Sequence, residues 1–102
     1  MTAPRPMRKT WRSDGRLAPA SAHLRSRAVR LRPGARMAWH TTGAREELLI
    51  AVQGGVIVET RAQRRMRRTA LAGGYALFLP PHVEHQVVNV GRSPARYIYV
   101  TG

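Results

Sequence analysis

His40 and Glu47 stand seven residues apart, and His85 follows a Pro80-Pro81 turn. Neutral imidazole nitrogen and carboxylate oxygen are donors that divalent Fe, Mn, Ni, Cu and Zn accept. A set of two histidines and one carboxylate leaves coordination positions open for a substrate or O₂. The trio His40, Glu47 and His85 is therefore the candidate site for one divalent transition metal. Its reach depends on whether the intervening chain folds these residues together.

That chain consists of short apolar runs divided by turn residues. Runs at 24–31, 37–40, 47–53, 56–61, 75–79, 84–90 and 96–101 have strand length and are bounded by Gly, Pro or Thr-Thr-Gly. No segment sustains a 3.6-residue apolar period, so a helix–turn–helix is not expected. Runs at this spacing predict an all-β sandwich or small barrel. Gly54-Gly55 reads as a tight hairpin turn, and the Arg-rich stretch 61–68 as a solvated loop leading into 69–72. In the run 47–53, Glu47, Leu49, Ala51 and Gln53 share one face, and Leu48, Ile50 and Val52 the other. Both faces carry apolar groups, so both are expected to be covered, the outer one by a second copy in a homodimer. His40 ends one strand and Glu47 begins the next, so a short loop brings them together at one barrel mouth. His85, in parity with Val87 and Asn89, can face the same interior.

A chain of 102 residues has room for one core. Residues 1–20, rich in Pro, Arg, Ser and Thr, read as a flexible basic tail, and 21–102 as a single domain. There are no cysteines, which excludes disulfides and thiolate metal sites. No run is long and apolar enough for a membrane helix, and the basic N-terminus leads into no apolar signal region, so a cytoplasmic location is expected. The net charge of +13 invites a nucleic-acid reading. Against it, the arginines are spread along the whole chain, and the one dense cluster contains no aromatic to stack on bases. A nucleic-acid partner is not expected.

Two segments resemble the conserved motifs of the cupin superfamily. Gly34, His40, Glu47 and Gly54 fall in register with the first motif, closest to its germin-type form. Gly74, Pro80, His85 and Asn89 fall in register with the second, and His82 stands where glycine is usual. The resemblance covers roughly residues 28–101. It implies a double-stranded β-helix of the jelly-roll type and a divalent metal on His40, Glu47 and His85. It also implies relatives that include dioxygenases, isomerases, decarboxylases and cyclases. The departure is Thr42, which stands where the family's second histidine ligand is usual. Glu46 is the rival of Glu47, but the spacing to Gly54 favours Glu47, leaving Glu46 and Arg45 at the rim. His82 is expected to shape a turn, and His23 to be solvated. Tyr75, Tyr97 and Tyr99 are candidates to line a cavity, with Trp39 and Phe78 packing on the outer surface.

Three functions follow from these residues. One is a small-molecule-binding barrel centred on a metal, which as an enzyme would have an unspecified reaction. The second is a metal-free barrel binding an organic ligand or anion. The third, carried by charge alone, is a nucleic-acid accessory.

Overall fold

The computed structural model describes residues 7–19, 21 and 23–102. Within them lie nine strands: β1 (Gly15–Arg16), β2 (Arg25–Leu31), β3 (Arg36–His40), β4 (Glu47–Gln53), β5 (Gly55–Ala62), β6 (Arg65–Ala72), β7 (Ala76–Leu79), β8 (Glu84–Val88) and β9 (Ala95–Thr101). Every pairing is antiparallel. A large sheet runs β1-β2-β9-β4-β7 and a small sheet β3-β8-β5-β6. The fold is the all-β jelly roll that the spacing of the runs predicts. Among the described residues no helix is long and apolar enough to cross a membrane.

Period-two patterning builds the core between the layers. Val29, Leu31, Leu49, Ala51, Ala95 and Tyr97 of the large sheet meet Val56, Val58, Leu71 and Val87 of the small one. Each fully buried Val or Leu side chain stabilises the fold by about 1.5–3 kcal/mol. The parity of β4 holds: Glu47, Leu49 and Ala51 are buried, while Ile50 and Val52 are half-buried and Leu48 is exposed on the outer face. Part of that outer surface is overlaid by residues N-terminal to β2. Arg96 donates to the carbonyls of Trp11 and Arg12, at 3.5 and 2.7 Å, and β1 pairs with β2. Of the stretch assigned to a tail, residues 1–6 and 20 lie outside the described residues.

Two local expectations are corrected. Gly54 has a φ of +70°, as a turn requires, but it is not in a hairpin. β4 belongs to the large sheet and β5 to the small one, so the chain crosses between layers here. Two glycines between apolar runs serve either connection, because the local demand on φ is the same and only distant pairing separates them. A Cβ at Gly54 would stand 3.1 Å from the Pro94 carbonyl oxygen and 3.3 Å from Ala95 Cα.

The Arg-rich stretch is likewise strand, not loop. β6 pairs with β5 over its whole length through a turn in which Gln63 and Arg64 have φ of 51° and 65°. Positive φ at two successive residues matches the twist of a two-residue hairpin, although neither is the Asn or Gly usual there. β6 is the edge of the small sheet, and its exposed arginines are the charged side chains that discourage pairing with another chain at such an edge.

Candidate metal centre

Strict alternation along β3 would place Met37 and His40 on opposite faces. The ladder to β8 runs Arg36 with Val88 and Met37 with Val87, then shifts register so that His40, not Trp39, faces His85. This β-bulge turns His40 to the same interior face as Met37, a re-aiming of one side chain that bulges perform beside functional sites. Trp39 is left on the outer side, although it also borders the cavity. The Arg61 guanidinium lies 4.1 Å from its ring centre and pairs with Glu84 at 2.8 Å. This stack spans β3, β5 and β8 across the back of the bulge.

The three sequence-derived residues come together. One donor atom from each of His40, Glu47 and His85 lies within 4.8 Å of the others. The imidazole centres are 4.3 Å apart with planes inclined at 60°. His85 and Glu47 are buried, at 1% and 4% exposure, and His40 sits at the open side. His40 Nδ1 is 2.8 Å from the Ala38 carbonyl and His85 Nδ1 is 3.1 Å from the Val83 carbonyl. A carbonyl only accepts, so each Nδ1 carries the proton and, in the neutral ring, each Nε2 keeps a free lone pair. Such outer partners fix the tautomer and orientation of metal-ligating histidines.

His85 Nε2 lies 2.6 Å from Glu47 Oε2. The contact is short and buried, and neither atom has another hydrogen-bond partner. With the His85 proton on Nδ1, the Nε2 lone pair is set against the carboxylate oxygen. Burial pulls the His85 pKa down, but the Glu47 carboxylate and the Val83 carbonyl outweigh it, and the net shift is upward. Burial, helped by the nearby Glu47 carboxylate, raises the Tyr97 phenol well above its ordinary value. It stays neutral at physiological pH.

The trio opens into a cavity of about 550 Å³ between the sheets, walled by Met37, Leu49, Val87, Tyr97 and Tyr99 and bordered by Thr42, Arg45 and Arg25. Thr42 lies at this wall, but its hydroxyl donates to the Arg45 carbonyl at 2.8 Å and serves the turn between β3 and β4. Glu46 is exposed while its neighbour Glu47 is buried, because the first inward position of β4 falls on Glu47. His82 stands apart from the trio. It has a φ of 65°, and its amide donates to the Gly43 carbonyl at 2.7 Å, joining the two loops at the mouth. His23 is exposed, and its carbonyl accepts from the Arg45 guanidinium.

Of the tyrosines, Tyr97 and Tyr99 line the cavity and Tyr75 does not, being 68% exposed. Tyr75 precedes β7, so the alternation counted along the sequence does not apply to it. Phe78 is on the outer face, at 52% exposure. Arg25 was not singled out by the sequence; its only signal is its inward parity with Val29 and Leu31 on β2. Asn89 is fully used as a brace. Its Nδ2 donates to the Leu31 and Ser93 carbonyls, and its Oδ1 accepts from the Gly91 amide.

Comparison with known proteins gives a consistent outcome. The sequence model of the Cupin domain family matches residues 27–101. No curated protein matches the chain. Among solved structures, TT1209 from Thermus thermophilus is 25% identical over 94% of this chain and 89% of its own, with a TM-score of 0.75. The RmlC-like cupin family protein mj0764 from Methanocaldococcus jannaschii is 17% identical over 88% and 78%, also with a TM-score of 0.75. An oxalate oxidase is 17% identical over 76% of this chain, with a TM-score of 0.71. The chain spans only 41% of that oxidase, so the likeness there is one of fold.

Proposed function

Because this chain belongs to the cupin domain family, we propose that it holds one divalent transition-metal ion on His40, Glu47 and His85 and presents it to a small molecule in the adjoining cavity. The observation that carries this reading is the pair of buried atoms His85 Nε2 and Glu47 Oε2, which face each other without a satisfactory hydrogen bond. Leaving a buried polar atom unpaired costs about 1–3 kcal/mol, and a shared cation would relieve both at once. The proton positions on the two imidazoles support it, since both lone pairs are held ready for the same region.

When bound, the ion would supply Lewis-acid polarisation of a ligand oxygen or, for a redox metal, electron transfer. The chain's own residues do the rest. Tyr97, neutral and buried, lines the cavity, and Met37, Leu49 and Val87 give it an apolar wall. The reaction class stays open between oxygenase, isomerase and cyclase-like chemistry, because the fold hosts many.

A second reading, a metal-free binding barrel, is favoured by one observation. With His85 protonated, as its raised pKa assists, His85 and Glu47 become an internal ion pair. Elemental analysis of untagged protein, before and after incubation with Fe(II), Mn(II), Ni(II), Cu(II) and Zn(II), separates the two. The metal reading expects about one ion per chain, lost in His85→Ala with the fold retained by circular dichroism. Protein that remains metal-free under all five conditions belongs to the second reading. We also infer that two copies pair through the outer face of the large sheet, where Leu48 and Phe78 are exposed.

A further inference from the structure

In a chain of net charge +13, unpaired arginine is ordinary; what distinguishes Arg25 is its place. Arg25, Thr101 and Glu47 are successive partners across β2, β9 and β4. Residues in such a row leave the sheet on the same face, so Arg25 projects to the side on which Glu47 meets His85. Neighbouring strands are about 4.8 Å apart, which places the Arg25 and Glu47 backbones roughly 10 Å from each other.

Both residues line the cavity, together with Arg45, and Glu47 is the only carboxylate among the lining residues. Among the described residues, the arginines paired with carboxylates are Arg61, Arg68 and Arg96. Arg45 is instead tied by its guanidinium to the His23 carbonyl at 2.9 Å, beside the start of β2. With a dication on the trio, two guanidiniums and the ion would stand against one carboxylate. That excess calls for negative charge from the ligand.

We propose that the ligand of this cavity is a small organic carboxylate with one end at the trio and its carboxylate on Arg25; this rests on the metal reading above. The planar guanidinium fork matches a carboxylate with two parallel hydrogen bonds. Phosphate fits the arginine equally well, but sites that hold phosphate commonly add a helix N-terminus or a nest of backbone amides. The described residues contain no helix. The apolar wall of Met37, Leu49 and Val87 favours an organic body over a bare inorganic anion. Arg25 therefore determines specificity by orienting the ligand, and Arg45 adds field at the mouth.

Calorimetric titration of zinc-loaded protein tests this with glycolate, succinate and benzoate, each beside its neutral amide, and with inorganic phosphate. Zinc content is measured on every sample. The expected result is that the tightest acid binds at least tenfold more strongly than its amide and than phosphate. Arg25→Gln weakens that acid at least tenfold with zinc content unchanged, and Arg25→Lys falls between. Arg25 is exposed, so these variants keep the fold. Normal zinc content with acid binding unchanged in Arg25→Gln, with phosphate bound best, or with no acid bound overturns the carboxylate assignment and leaves the metal site standing. Absence of zinc from the wild type overturns the metal reading, and this inference with it.

Discussion

Thr42 stands beside the trio, but its side chain serves the turn between β3 and β4. Its hydroxyl is engaged by the Arg45 carbonyl, and its position at the cavity wall is the place where an imidazole could join His40 and His85. Thr42→His is expected to tighten zinc binding by tenfold or more, about 1.4 kcal/mol or above. Competition against a chromophoric chelator measures it, and an unchanged constant would mean that residue 42 does not face the ion. At this scale the sequence was highly legible. Residue type, spacing and the motif resemblance brought forward His40, Glu47 and His85, whose donor atoms the fold gathers within 4.8 Å of one another. What could not be read was Arg25, which has no motif and gains its meaning only from the register of β2 against β9. Nor could the sequence tell that Tyr97 lines the cavity while Tyr75 does not, since that depends on where β7 begins.

Elements were legible where the local pattern was sufficient and illegible where partners were distant. Apolar alternation and flanking Gly and Pro gave β4 its full extent and located most other strands within a residue or two. The bulge in β3 left no such trace, because an extra residue alters pairing without altering composition. The same limitation disguised the Gly54 crossover as a hairpin and the β6 edge as a loop. Gly54→Ala is a sharp test of the crossover. The new Cβ would meet backbone at 3.1 Å, and φ of +70° is costly for any L side chain. The expected loss is about 1–3 kcal/mol, read from urea unfolding with an unchanged m-value. A loss within error of zero would mean that the layers can separate slightly at this junction.

For the molecule as a whole, the two faces of the large sheet present different problems. The inner face is closed by the small sheet. The outer face leaves Leu48 37% and Phe78 52% exposed as cross-strand partners, beside half-buried Ile50, Ile98 and Val100. Charge replacement by Leu48→Glu is expected to convert a dimer into a monomer in sedimentation velocity while metal content stays the same. A wild type that sediments as a monomer removes the pairing inference. The centre of that sheet has a temporal consequence too. β9 lies between β2 and β4 although it follows all the other strands in the chain. On the ribosome, β2 and β4 each keep one edge unpaired until residues 95–101 emerge, so the barrel and its pocket close only after β9 has been made. Such non-local pairing folds slowly, on the order of milliseconds to seconds, and exposes the nascent chain to aggregation in the interval.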